Sequence, residues 1–279
     1  MSEPVVQRWA AFSSDPAGGN PAGVVLGADE LDDVRMQQIA AEVGYAETAF
    51  VSGTGRGRGI RYFSPIAEVP FCGHATVAAA VALAETEGDG VFAFRTPVGE
   101  IAITTRVDES MRTASFTSVE PSVVPIGDAA LDAVLGLIGA SRADLDGAHP
   151  PRLVFAGNRH PLVVLADAGR FDTFIFDPAA ARALMDAEGW PATIIVLRDL
   201  GKEHWDARNI FPVGTLIEDP ATGAAAAATG AYLRATGAVR PPARIVIRQG
   251  RHVGRPSLLT VDVSETGGIT VSGTAVPIR

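Results

Sequence analysis

One cysteine, Cys72, stands in 279 residues. No internal disulfide can form, and the Cys-rich zinc frameworks are excluded. Basic residues are outnumbered: 23 Lys and Arg face 32 Asp and Glu, a formal charge of -9. That balance argues against nucleic acid or an anionic membrane as partner, although a small anion can still bind a locally positive pocket. No uncharged apolar run reaches membrane length, and the opening MSEPVVQRWAAFSS lacks the basic-then-apolar order of a secretory signal. A soluble cytoplasmic protein is the expectation. A P-loop, an HExxH and a GxGxxG after a strand are all missing. GTGRGRG (53–59) has the glycines, but the strand-like GIRYF follows it where a helix is needed. No metal, nucleotide or other cofactor is expected.

What is present is apolar, at 47% of residues, enough for one large domain or two ordinary ones. Leu31 to Val43 reads as a helix, with Leu31, Val34, Ile39 and Val43 on one face and Gly44 as its stop. YAETAFV, Tyr45 to Val51, reads as a strand. ATVAAAVALAE, Ala75 to Glu85, has helical composition and no polar side, so it is expected to be buried all round. EPSVVP, 120–125, carries two prolines and reads as a linker. Beyond it the grammar repeats. A helix is expected from Asp128 to Gly139, another from Pro178, and a second small-residue helix over Thr222 to Ala235, set among short strands. This divides the chain into an N-terminal domain, 1–119, completed by the C-terminal strand, and a C-terminal domain, 120–279.

Four features could carry chemistry. Gly73-His74-Ala75 and Thr222-Gly223-Ala224 open the two buried helices, and the first amides of a helix can hold an anion. The plain alternative is that Thr76 and Thr222 are local caps and the glycines permit tight turns. Glu47 shares a strand face with Tyr45, Ala49 and Val51. Burial there would raise its pKa and suit it to proton transfer; exposure would make it an edge carboxylate. Cys72 and His74 are two apart, close enough for a nucleophile pair, but no third orienting residue is evident, and a cysteine is often a small buried hydrophobe. Asp219, before Pro220, is either a helix cap or a group that holds His74 or the substrate.

Taken in order, AFSSDPAGGNPAGVVL, YAETAFV, RYFSPIAEVPFCGHATVAAA, EDPATGAAAAATGAYL and QGRHVGRPSLLTV resemble the phenazine-biosynthesis isomerase (PhzF-like) family, a branch of the diaminopimelate-epimerase fold. The resemblance runs from about Phe12 to the final strand. It implies an α+β fold of two similar domains, each a barrel-like mixed sheet around a central buried helix, with the active site between them. It also implies a cofactor-free isomerisation of trans-2,3-dihydro-3-hydroxyanthranilate, with Glu47 as acid/base. His74 and Asp219 would be its companions, and Asn20 would line the site with Cys72, Gly73, Ala75, Thr222, Gly223 and Ala224. A homodimer is implied by the resemblance alone. The epimerase branch works with two cysteines. Cys72 stands where the first would fall and EDPATG holds none, so a two-thiol racemase within one subunit is excluded and Cys72 becomes a wall residue. A one-base racemase or epimerase of an amino or hydroxy acid, or one pairing Cys72 with Glu47, stays open. So does a non-catalytic small-molecule-binding protein.

Overall fold

The computed structural model describes residues 4–108, 110–213 and 217–279. The chain divides into two compact units, Met1–Phe116 with Ser272–Arg279 and Thr117–Val271.

The first unit holds β1 (Val6–Ala11), β2 (Asn20–Leu26), β3 (Glu47–Ser52), β4 (Gly57–Phe63), β5 (Glu68–Val69), β6 (Gly90–Thr96), β7 (Gly99–Asp108) and β8 (Met111–Thr117), and it is closed by β16 (Thr270–Pro277). Its helices are α1 (Asp33–Val43) and α2 (Gly73–Glu87). The hydrogen-bonded order β1-β2-β3-β4-β6-β7-β8-β16 returns to β1, a closed eight-stranded barrel; β5 lies off the ring and pairs with β4. Two pairs are parallel, β2 with β3 and β4 with β6. A parallel pair needs a crossover, and α1 and α2 are those crossovers.

The two helices sit on opposite sides of the sheet. α2 packs against β1, β2, β3 and β7, strands spread around the ring, so it runs inside the barrel. Its residues from His74 to Ala84 are all buried. Alanine suits this place, since it is the best helix former and lets strands approach closely. α1 lies outside. Asp32 accepts from the Arg35 amide to start it, and Gly44 ends it in the left-handed region. Its inward face is Met36, Ile39 and Ala40, packed with Phe50 and Phe63. Val34, expected on that face, is 66% exposed. At 100° per residue, Val34 lies about 140° from Ile39 and about 180° from Val43, so it faces away from the stripe of 36, 39, 40 and 43.

The second unit contains β9 (Ser122–Pro125), β10 (Arg152–Phe155), β11 (Arg159–Val164), β12 (Ile194–Gly201), β13 (His204–Ile210), β14 (Ala243–Gln249) and β15 (Ser257–Val263). Its helices are α3 (Asp128–Leu137), α4 (Ala168–Thr173), α5 (Pro178–Glu188) and α6 (Gly223–Thr236). The strands form one row from β9 to β15, parallel at β11/β12 and β13/β14. α6 touches β9, β10, β11 and β15, the two ends of that row included, so the sheet curls around it. A Cβ at Gly230 would come within 2.8 Å of Ile269 Cγ2 and Val261 Cγ1, which explains the small residues of this helix. The other face is covered by α3, α4 and α5 through Leu131, Val134, Leu135, Phe171, Ala181, Met185 and Trp190.

The segment 120–125 corrects one expectation. It is not a linker: Ser122–Pro125 is strand β9, antiparallel to β10. β9 ends its row, and an edge strand tolerates prolines because one side of its backbone makes no ladder bonds. No helix among the described residues is long and apolar enough to cross a membrane.

Candidate active site

The site in the first unit begins with strand alternation. Phe50 faces outward under α1, so Glu47 and Ala49 face the barrel interior, where α2 lies. Glu47 opens β3, in register with Ala22 of the parallel neighbour β2. α2 starts at Gly73, and Cys72 is its N-cap residue with an extended backbone. These two starts meet. Cys72 Sγ lies 3.5 Å from Glu47 Oε2, and 3.3 and 3.8 Å from His74 Nδ1 and Nε2. His74 Nε2 is 3.5 Å from Glu47 Oε2. The third group that the sequence did not reveal beside Cys72 and His74 is therefore Glu47, 25 residues earlier.

The first turn of α2 is held from below. Thr76 Oγ1 donates to the Cys72 carbonyl at 2.6 Å, so the Tyr62 hydroxyl, 2.6 Å away, must donate to Thr76. Burial pushes the Tyr62 phenol well above its ordinary range and keeps it a donor. Thr76 therefore does not cap the helix amides, and the Gly73, His74 and Ala75 N–H groups lie in the turn that has no intrahelical acceptor.

His74 is 6% exposed, and burial pushes its pKa down to about 4 against the opposing pull of a hydrogen bond to the Pro21 backbone. The ring is neutral near pH 7, so its approach to Glu47 is not an ion pair. Proline has no N–H, so the Pro21 carbonyl accepts and the ring donates. A neutral imidazole has one N–H, and its other nitrogen is then an acceptor, available to a proton on Cys72 or Glu47. Asn20, next to Pro21, opens β2 at 1% exposure.

His160 in β11 shares this state: burial lowers its pKa to about 4, while Nδ1 lies 3.0 Å from the Thr193 carbonyl. An unfolded histidine takes its proton near pH 6.5, a folded one here only near pH 4. Between these values the unfolded chain binds more protons, so stability is full above pH 6.5 and falls as the pH drops toward 4. Each histidine contributes up to about 1.4 kcal/mol per pH unit. In urea titrations, His160→Gln is expected to reduce that acid-side slope by one such contribution; an unchanged slope would show His160 is not buried neutral.

The remaining candidates gather in the second unit. Asp219 is 8% exposed, and its Oδ2 accepts from Thr222 Oγ1 at 2.5 Å. Thr222 is the N-cap residue of α6 but makes no side-chain cap. Its amide donates instead to Gln249 Oε1 at 3.2 Å. Gln249 Nε2 donates to the Asp219 carbonyl at 2.6 Å and to Thr222 Oγ1 at 3.0 Å. Gln249 thus fixes the turn that presents Asp219, Thr222, Gly223 and Ala224, and sequence reasoning had not singled it out. Its signal was QGRHVG: Gly250 has φ +79°, and any Cβ there would collide with the Pro220 and Arg255 carbonyls. Structure thus assembles the candidates as two groups, Glu47, Cys72, Gly73, His74 and Ala75 beside Asn20, and Asp219 to Ala224.

A family model described as phenazine biosynthesis-like protein (PhzC-PhzF) matches residues 9–279. The chain belongs to that family. It is 32% identical to "Uncharacterized isomerase YddE" of Escherichia coli K12, over 98% of this chain and 96% of that one. It is 33% identical to the trans-2,3-dihydro-3-hydroxyanthranilate isomerase of Pseudomonas chlororaphis, over 89% of this chain and 86% of that one. A Bacillus anthracis phenazine biosynthesis protein of the PhzF family superposes with a TM-score of 0.88 at 27% identity, covering 100% of this chain and 98% of that one. The fold is the diaminopimelate-epimerase-like α+β fold, and this PhzF-family protein is an isomerase.

Proposed function

We propose that this PhzF-family isomerase moves a proton on a small carboxylated ring of the trans-2,3-dihydro-3-hydroxyanthranilate type, without a cofactor, with Glu47 as acid and base. One observation carries the reading: a half-buried carboxylate, a thiol and a neutral imidazole converge at the buried first turn of α2. The Glu47 carboxylate takes a proton from an sp3 ring carbon. The C–H electron pair enters the ring π system, and the resulting carboxylic acid returns a proton at another ring carbon. Atoms and charge balance, and Glu47 ends as it began. His74 accepts a hydrogen bond from Glu47 while Glu47 carries the proton. The amides of Gly73, His74 and Ala75 are the candidate anchor for the substrate carboxylate beside Glu47, and those of Thr222, Gly223 and Ala224 are a candidate anion anchor of the second unit. Asn20 is assigned to orienting the ring and Cys72 to forming the wall, while Asp219 is assigned to the second unit's anion-binding turn.

The test is turnover in deuterated water with trans-2,3-dihydro-3-hydroxyanthranilate as probe. The expected result is an isomerised product, part of it heavier by one deuteron from exchange on Glu47. Absence of product, together with α-carbon exchange in an amino or hydroxy acid, would replace this reading by a one-base racemase.

A further inference from the structure

The cluster around Cys72 has a property that acid/base work does not require. Glu47 Oε2, Cys72 Sγ and His74 Nε2 form a triangle with sides of 3.5, 3.5 and 3.8 Å. A tetrahedral zinc ion at ordinary bond lengths to sulfur, nitrogen and oxygen separates its ligand atoms by about 3.3–3.6 Å. The triangle therefore matches one face of a zinc tetrahedron to within a few tenths of an ångström. A single cysteine excludes the Cys-rich frameworks but not this mixed set, whose ligand atoms lie within 4.8 Å of one another.

A second feature points the same way. A histidine that binds a metal through one nitrogen almost always donates its other N–H to a carbonyl or carboxylate. His74 already has such a partner, the Pro21 carbonyl. That outer bond fixes the ring, and Nε2 lies within 3.8 Å of both Glu47 Oε2 and Cys72 Sγ. Glu47 is the most exposed of the three, its side chain 16% accessible against 7% for His74, so an ion would enter on the Glu47 side.

We propose that Glu47, Cys72 and His74 form a binding site for a borderline-soft divalent cation of the zinc class, with three protein ligands and an open fourth position. Thiolate and imidazole select zinc and cobalt over magnesium and calcium. The site does not depend on the identity of the substrate. Where Glu47 is the acid/base, a bound ion occupies it and stops proton transfer, reversibly.

Cobalt is the probe, because a cobalt–thiolate bond gives a near-ultraviolet charge-transfer band and tetrahedral cobalt gives intense visible bands. Titration of the full chain with Co2+ under reducing conditions is expected to give both, saturating at one ion per chain. Excess Zn2+ should abolish them and excess Mg2+ leave them unchanged. Cys72→Ser should remove the charge-transfer band. His74→Asn should lower zinc affinity, measured by calorimetry, by more than the roughly 10–100-fold that losing an outer hydrogen-bond partner costs. A wild-type protein with no saturable bands would overturn the site without touching the isomerase reading. So would bands that persist unchanged in both Glu47→Gln and His74→Asn, since these would reveal binding by the thiol alone.

Discussion

Glu47→Gln is expected to lower turnover by about 100- to 10,000-fold, the range that a positioned general base contributes, while leaving the fold intact. The amide keeps the size of the side chain and its contacts with Cys72 and His74, but it cannot take a proton. The neighbours decide how the result is read. Cys72 Sγ is 3.5 Å from Glu47 and 3.3 Å from His74, close enough for a thiol to be the working base. Cys72→Ser separates the two cases. If Glu47 carries the reaction, the serine variant keeps turnover to within about 10-fold, since it retains the wall and loses only the sulfur. If a Cys72–Glu47 pair works as two acids on a racemisable carbon, both variants fall together. Steady-state rates on one substrate, with circular dichroism to show folding, settle it. Full turnover in Glu47→Gln would end the proposal.

The architecture was readable where one local property decides it. α2 has no polar side chain from Val77 to Ala84 and α6 none from Gly223 to Ala228, and a helical stretch without a polar face has only the interior of a sheet to occupy. Residues 120–125 were misread because proline rules out a central strand, not an edge one, and edge position is a property of the whole row. Val34 was misplaced because five residues separate it from Ile39, about 140° around the helix, so the two cannot share a face. Chemistry was legible in part. Glu47, Cys72 and His74 could each be named, but the contact joining β3 to the start of α2 spans 25 residues and leaves no periodicity behind. Gln249 was silent for the same reason. Its amide closes on Thr222 and Asp219 from 27 and 30 residues away, and only Gly250 beside it, where any Cβ would collide with the Pro220 carbonyl, marked the approach.

Glu218→Ala is expected to be the most destabilising single change near the second group of site residues. Arg208, on β13, is 6% exposed, and Glu218 is 4% exposed. The guanidinium donates to Glu218 Oε1 from Nη2 at 2.5 Å and from Nε at 3.1 Å. Its Nη1 donates to the Phe171 and Phe174 carbonyls, each at 3.0 Å, and its Cζ lies 3.5 Å from the centroid of the Phe174 ring. Removing the carboxylate leaves a cation that cannot lose its proton among carbonyls and an aromatic ring, without its Glu218 ion-pair partner. Breaking a buried pair in this way costs about 3–5 kcal/mol. At roughly 2–4 °C per kcal/mol for a unit of this size, the melting temperature should fall by about 6–20 °C. Activity should fall as well, because Glu218 bridges to Ile210 and the next amide, Asp219, donates to the Asn209 carbonyl, so the pair anchors the turn that presents Asp219. The paired variant Arg208→Met with Glu218→Leu tests the cause. Replacing both charges with apolar groups of similar volume removes the buried cation, so it should recover most of the stability lost in the single variant. A double variant no more stable than Glu218→Ala would mean that the packing of the aliphatic portions, not the charge, holds β13 to this segment.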